Sequence, residues 1–108
     1  MENDKKMADY IYSILSSQPT ILMSWGFQRP AIIHLGLTFH VNGFKHKGKV
    51  SIKYKEGQDL FNVYLMDENG KIVDTIHMVY FDQLVELIDE RVEKTDDYNN
   101  RVDNEYFK

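Results

Sequence analysis

The chain has 108 residues and a mass of 12.8 kDa, which is enough for one compact domain and excludes a repeat array or a second catalytic lobe. Hydrophobic residues make up 43 % and charged residues 28 % of the sequence, as in globular proteins and unlike disordered chains. The net charge of −4 at pH 7 argues against a surface that is cationic all round, and the lack of cysteine excludes disulfides, thiolate metal sites and cysteine nucleophiles.

The first predicted element is an amphipathic helix. Between Asp4 and Ser17, apolar residues recur at i, i+3, i+4, i+7 and i+8, the spacing of one helix face; they are Met7, Tyr10, Ile11, Ile14 and Leu15. Pro19 is predicted to mark the end of this helix. Residues 20–27 are of types that suit a β-strand, so the sequence predicts a strand there and a turn at residues 28–30.

Two strand-like runs flank residues 42–43, an Asn-Gly pair. This dipeptide best tolerates the positive φ angles of a two-residue hairpin turn. With Val41 opposite Phe44 and Leu35 opposite Val50, the pairing sorts both strands into one apolar face and one polar face, as expected for a half-buried hairpin. We therefore predict a tight hairpin that turns at residues 42–43.

The apolar face extends onto a third strand at residues 60–66. Pairing Lys55 with Leu60 across the preceding turn sets Val50 beside Leu65, which keeps the apolar side chains together. The sequence therefore predicts three neighbouring antiparallel strands that share one apolar face.

The last strand is predicted at residues 71–79. The sequence does not fix how this strand pairs with its neighbour, because Asp74 falls among apolar positions. We expect Ile76 and Met78 to face the core. Asp82 is a favourable N-cap, and the apolar residues that follow it recur with helical spacing. A second amphipathic helix is therefore predicted, ending near Lys94.

Residues 1–94 are thus predicted to form a single α+β domain. It consists of an N-terminal helix, an antiparallel β-meander of four to five strands and a C-terminal helix, with both helices on one face of the sheet. Residues 95–108 are polar and lack periodicity, so we predict a mobile tail. This order of elements occurs in many small bacterial proteins and does not by itself assign a function.

No segment predicts export or membrane insertion. Asp9 interrupts the position where a signal peptide would place its hydrophobic core. The longest mostly apolar run, residues 31–41, is shorter than the ~20 residues that a membrane-spanning helix needs. We therefore predict a cytoplasmic protein that does not engage a membrane.

The sequence predicts no catalytic residue, no metal site and no cofactor. His34 and His40 lie six residues apart on one predicted strand, a separation of about 20 Å, so they cannot share a metal ion. No serine lies in a Gly-x-Ser-x-Gly motif and no glycine-rich phosphate loop is present. The neighbouring carboxylates at 89–90 diverge on a helix, which is typical of solvated charge. We therefore expect a protein that is not an enzyme.

Alternate lysines mark one face of the second hairpin strand, and no acidic residue lies between positions 45 and 55. Tyr64 is predicted beside them, opposite Ser51. A row of cations next to an aromatic ring is typical of single-stranded nucleic-acid binding, although a solvated sheet face that resists aggregation also carries lysines. The candidate nucleic-acid-binding residues are Lys45, Lys47, Lys49, Lys53 and Lys55.

The leading functional hypothesis is a non-catalytic accessory protein that binds a protein partner or a second copy of itself. Large aromatic residues and arginine anchor many interfaces, and apolar side chains on the open sheet face would add to such a surface. The candidate partner-binding residues are Trp25, Phe27, Arg29, Leu60, Tyr64 and Met66. Trp25 and Phe27 also suit a core role. Sequence-tolerant binding of single-stranded nucleic acid is the second hypothesis, and a small-molecule pocket between helices and sheet is the third.

Overall fold

The structure is a computed structural model that describes residues 2–93. The predicted order of an N-terminal helix, an antiparallel meander and a C-terminal helix is confirmed, and the sheet has five strands in the order β1-β2-β3-β4-β5. The predicted tail at residues 95–108 lies outside the described residues. The elements are α1 (Glu2–Ser16), α2 (Pro19–Ser24), β1 (Gln28–Ile33), β2 (Gly36–Asn42), β3 (Lys47–Lys55), β4 (Leu60–Met66), β5 (Ile72–Val79) and α3 (Leu84–Val92).

The strand predicted at residues 20–27 is wrong, because most of this segment forms the short helix α2. Pro19 is its first residue, a position where the missing proline N–H leaves no hydrogen bond unmade. Leu22 and Trp25 are both buried, and their spacing of three residues suits one side of a helical turn. Burial of these two side chains outweighs the strand preference of the individual residues.

The turn predicted at residues 28–30 is also wrong, since these residues begin the edge strand β1. A bulge between Gln28 and Ala31 interrupts its pairing with β2. Pro30 fits there because an edge strand does not need every backbone N–H. The tight two-residue turn of the sheet joins β1 to β2 at residues 34–35, where Leu35 has a φ of 50°.

The β2–β3 connection is a four-residue loop, residues 43–46, instead of the predicted two-residue turn. Val41 pairs with Gly48 and not with Phe44, so the predicted register is wrong by four residues. Since side chains alternate with a period of two, a shift by an even number leaves each of them on its predicted face.

The β2–β3 loop caps the C-terminal end of α3, which explains why this loop is longer than predicted. The backbone N–H groups of Lys45 and His46 donate to the carbonyl oxygen of Val92 at 2.7 and 3.3 Å. The last carbonyl groups of a helix have no partner within the helix. Capping them uses loop residues that a tight hairpin would have placed in the strand ladder.

The predicted register between β3 and β4 is confirmed, with Lys55 paired to Leu60. β5 pairs with β4 through two irregularities in register. Ile76 packs against the core, as predicted, and lies opposite the buried Val63. Met78 does not face the core: it lies in an irregular part of β5, has a φ of 59° and is 61 % exposed.

The C-terminal helix begins later than predicted. Residues 81–83 form a short 3₁₀ turn and α3 starts at Leu84, so Asp82 is not its N-cap. The backbone N–H of Tyr80 donates to the side-chain oxygen of Gln83 at 3.3 Å. This hydrogen bond stabilises the turn that precedes α3. Within residues 2–93, no helix is long and apolar enough to cross a bilayer.

One hydrophobic cluster joins all three helices to a single face of the sheet. The rings of Trp25 and Phe39 stack with centroids 6.5 Å apart, which ties the end of α2 to β2. Leu84, Val85, Ile88 and Val92 bring the predicted apolar stripe of α3 to the same cluster. Its strand members are Leu37, Phe39, Val41, Val50, Ile52, Phe61, Val63, Leu65 and Val79.

Candidate ligand-binding face

The opposite side of the sheet, here called the open face, consists of the alternate strand residues that the core cluster does not use. Its members on the three central strands are Gly36, Thr38, His40, Asn42, Lys47, Lys49, Ser51, Lys53, Lys55, Leu60, Asn62, Tyr64 and Met66. None of these residues is acidic, and four are lysines.

Four of the five candidate lysines lie on the open face. Lys47, Lys49, Lys53 and Lys55 alternate along β3, and all except the half-buried Lys49 are exposed. Alternate residues of a strand are about 6.6 Å apart, so these cations form a line about 26 Å long. Lys45 does not belong to this line, because it lies in the β2–β3 loop and its Nζ donates to the carbonyl oxygen of Glu90 at 2.5 Å.

Tyr64 lies in the middle of the open face, opposite Ser51 as predicted. The neighbouring residues in the same cross-strand row are Thr38 and Thr75. The hydroxyl groups of Thr38 and Ser51 are 2.9 Å apart and form a hydrogen bond. The half-buried Tyr64 ring is thus flanked by short, hydroxyl-bearing side chains.

Two of the candidate partner-binding residues are buried. Trp25 is fully buried, and its indole Nε1–H donates to Asp89 Oδ1 at 2.9 Å. Leu60 is only 5 % exposed. Neither side chain is available to a partner in this structure. Trp25 is buried because it ends α2 and stacks on Phe39 of β2.

The other candidates are accessible to different degrees. The Phe27 ring lies 4.7 Å from the Phe39 ring, between centroids, and packs against the core. Arg29 is exposed in the β1 bulge. Met66 is half-buried on the open face and pairs with Lys49 on one side and with Ile72 on the other.

A cleft of about 520 Å³ adjoins one end of the open face. Arg29, Lys47 and Lys49 line it together with the turn after β4, which contributes Asp67 and the exposed Glu68. The Asp67 carboxylate accepts the backbone N–H groups of Asn69 and Lys71, each at 2.9 Å, so it is engaged in that turn. The cleft therefore brings Arg29 close to the lysine line, which the sequence did not predict.

The histidines do not assemble into a metal site. Within the part of the chain that the structure describes, no group of three or more His, Asp or Glu side chains is placed to hold a metal ion. His34 Nδ1 lies 3.3 Å from Asp4 Oδ1 at the tight β1–β2 turn. His40 belongs to the open face and pairs with Lys49.

Sequence reasoning missed a second concavity, formed mainly by aromatic residues. Tyr10 of α1, Tyr54 of β3 and Phe81 before α3 line it together. Its one sequence signal is the predicted pairing of Lys55 with Leu60, a register that also sets Tyr54 beside Phe61, as in the structure. Nothing in the local pattern shows that residues so far apart along the chain meet.

No known protein family, no curated protein and no solved structure matches the chain.

Proposed function

We propose that this chain is a non-catalytic binding protein and that its open face binds single-stranded nucleic acid. The observation that carries the proposal is the distribution of charge. On its three central strands the open face holds four lysines and no carboxylate, although the whole chain has a net charge of −4. An approaching polyanion responds to this local positive field as well as to the net charge.

The arrangement of the lysines favours a linear ligand. Lys47, Lys49, Lys53 and Lys55 follow β3 in one line, as two pairs separated by Ser51, so an extended strand can place a phosphate group at each of the four cations. Tyr64 lies on the adjacent strand and offers an aromatic ring on which a base can stack. Arg29, at the cleft beside Lys47 and Lys49, would lengthen the cationic path.

The burial of Trp25 and Leu60 favours this proposal over the binding of a protein partner. Protein interfaces depend on a few large, accessible anchor residues. With Trp25 and Leu60 in the interior, the accessible members of the predicted open-face set are the half-buried Tyr64 and Met66.

The test is binding of a fluorescently labelled oligothymidine of about 20 nucleotides, followed by anisotropy as the salt concentration is raised. Neutralising four phosphates predicts a slope of log affinity against log salt near −3, because single strands give about −0.7 per phosphate. Affinity should then fall about 50-fold between ~50 and ~200 mM salt. No binding at low salt would overturn the proposal.

Two triple variants locate the site. Lys47→Ala/Lys49→Ala/Lys53→Ala should reduce the slope to about −0.7, because one of the four contacts remains. The matched control removes three exposed basic residues of the helices, Lys5, Lys6 and Arg91, and changes the net charge equally. Equal losses in the two variants would show that the open face is not the binding surface.

A protein partner or a second copy of the chain is the second candidate, favoured by the cross-strand neighbours Met66 and Ile72 on the open face. Ile72 is 54 % exposed. Light scattering should then show a complex that Tyr64→Ala/Met66→Ala makes smaller without loss of folding. An unchanged particle mass in that variant would count against this candidate.

A further inference from the structure

The aromatic concavity is a pocket of about 440 Å³ between α1, the β3–β4 turn and the segment that leads into α3. This volume lies in the range of small-molecule sites. Five of its seven lining residues are aromatic, one is a carboxylate and none is cationic. The aromatic residues are Tyr10, Tyr54, Phe61, Tyr80 and Phe81.

The rings form a continuous group around buried Phe61. Tyr54 meets Phe61 edge-on with centroids 5.5 Å apart, and Tyr10 lies 6.4 Å from it. Tyr10, Tyr80 and Phe81 are 46 %, 57 % and 56 % exposed. Exposed aromatic rings gathered in one concavity mark a binding site more often than rings scattered singly.

Asp59 places a negative charge at this pocket. It has a φ of 53° in the β3–β4 turn, and its Oδ1 accepts a short hydrogen bond from the Tyr54 hydroxyl. This hydrogen bond to Asp59 raises the pKa of Tyr54, so the phenol stays neutral. A carboxylate accepts several hydrogen bonds, and Asp59 is exposed, so it remains accessible to a ligand.

We propose that this pocket binds an organic cation that carries a quaternary ammonium group. The faces of aromatic rings have negative electrostatic potential and attract such a cation. Asp59 supplies the opposite charge, and the absence of cations among the lining residues means that nothing there repels it. A methylated ammonium also suits apolar walls, because it leaves no N–H donor unpaired when it is buried.

The test titrates the full chain with choline and with 3,3-dimethylbutan-1-ol, a neutral compound of nearly the same shape. The choline N-methyl proton signal should move upfield because the methyl groups lie over ring faces. Calorimetry should give an affinity for choline at least about tenfold above that for the neutral compound. Equal affinities, or no saturable shift with either compound, would overturn the proposal.

Three variants separate the contributions of the carboxylate and of the aromatic rings to choline affinity. Asp59→Asn keeps a residue that tolerates the left-handed backbone and should lower choline affinity without changing the affinity for the neutral compound; the ring faces should still favour choline over it. Tyr80→Ala should weaken choline binding about tenfold. The control is Tyr12→Ala, which removes another exposed α1 tyrosine whose ring contacts Phe27 outside the pocket; its choline affinity should not change. Wild-type affinity in Asp59→Asn would contradict the charge argument.

A further titration with the amide of trimethyl-lysine distinguishes the two sources of this group. Tighter binding than choline assigns the pocket to a modified peptide side chain, and tighter choline binding assigns it to a free small molecule. Since none of the pocket residues belongs to the lysine line, loss of oligonucleotide binding would leave this proposal unaffected.

Discussion

Asp4 connects the first helix to the tightest turn of the sheet. Its Oδ1 accepts the backbone N–H of Leu35 at 2.9 Å, and Leu35 itself has a positive φ. The Leu35 carbonyl in turn accepts the backbone N–H of Tyr54 at 2.9 Å. The Leu35 N–H favours the charged carboxylate and lowers the pKa of Asp4 below its ordinary 3.8, and nearby His34 acts in the same direction.

The lowered pKa predicts how the contribution of Asp4 to stability depends on pH. Because the folded pKa lies below the unfolded one, this contribution is fully present above the ordinary pKa and is lost as the pH falls through the folded pKa. Asp4→Ala should therefore lower the melting temperature near neutral pH. The difference from wild type should shrink progressively in melts as the pH is lowered below the ordinary pKa of 3.8.

The control for this prediction is Asp9→Ala. Asp9 forms only an exposed i,i+4 ion pair with Lys5, and such pairs contribute about 0.3–0.5 kcal/mol. Its removal should lower the melting temperature much less than Asp4→Ala does at neutral pH. An Asp4→Ala deficit that stays constant down to the lowest pH would show that the carboxylate charge is not what matters.

At the scale of elements, side-chain direction was predictable where strand position was not. The period of two assigned Phe39 and Lys49 to opposite faces even though the hairpin register was wrong, because an even shift preserves the faces. The position of the turn depended on Val92, whose carbonyl is capped by the β2–β3 loop. A local Asn-Gly signal contains no information about that distant helix end.

The first strand and α2 were missed for a related reason. Residues 20–30 have mixed local preferences, and burial of Leu22 and Trp25 decides the outcome. That burial depends on Phe39 and Asp89, which Trp25 contacts through ring stacking and a hydrogen bond. Short segments whose structure is set by such long-range contacts cannot be assigned from local sequence.

Gly48 allows the end of β3 to lie close to the end of β4. Its φ is +148°, and a Cβ placed there would lie 2.3 Å from the carbonyl oxygen of Met66. Gly48→Ala should therefore lower the free energy of unfolding by about 3 kcal/mol, since backbone must move to relieve the contact. Urea unfolding followed by circular dichroism measures this loss.

Gly57→Ala separates the cost of a positive φ from the cost of the steric contact. Gly57 also has a positive φ, +84°, but no atom lies within 4 Å of the added Cβ. Its substitution should cost only the left-handed backbone penalty of about 1–2 kcal/mol. If the two variants lose the same stability, the close approach to Met66 has no effect.

At the scale of the whole molecule, the two candidate sites differ in how far the sequence predicts them. The lysine line was predicted because its members alternate along one strand, with Lys45 the exception. The aromatic pocket combines Tyr10, Tyr54 and Tyr80 from three parts of the chain. Its assembly depends on how helices and sheet dock, and no periodicity encodes that arrangement.

Both edge strands of the sheet, β1 and β5, are irregular. β1 carries a bulge and Pro30, and β5 departs from regular pairing twice, even though Ile72 and Val73 are exposed there. A straight, uninterrupted border would act as a template for stacking further copies into fibrils. The folded protein therefore resists amyloid growth at either border, and such growth would require these distortions to be straightened first.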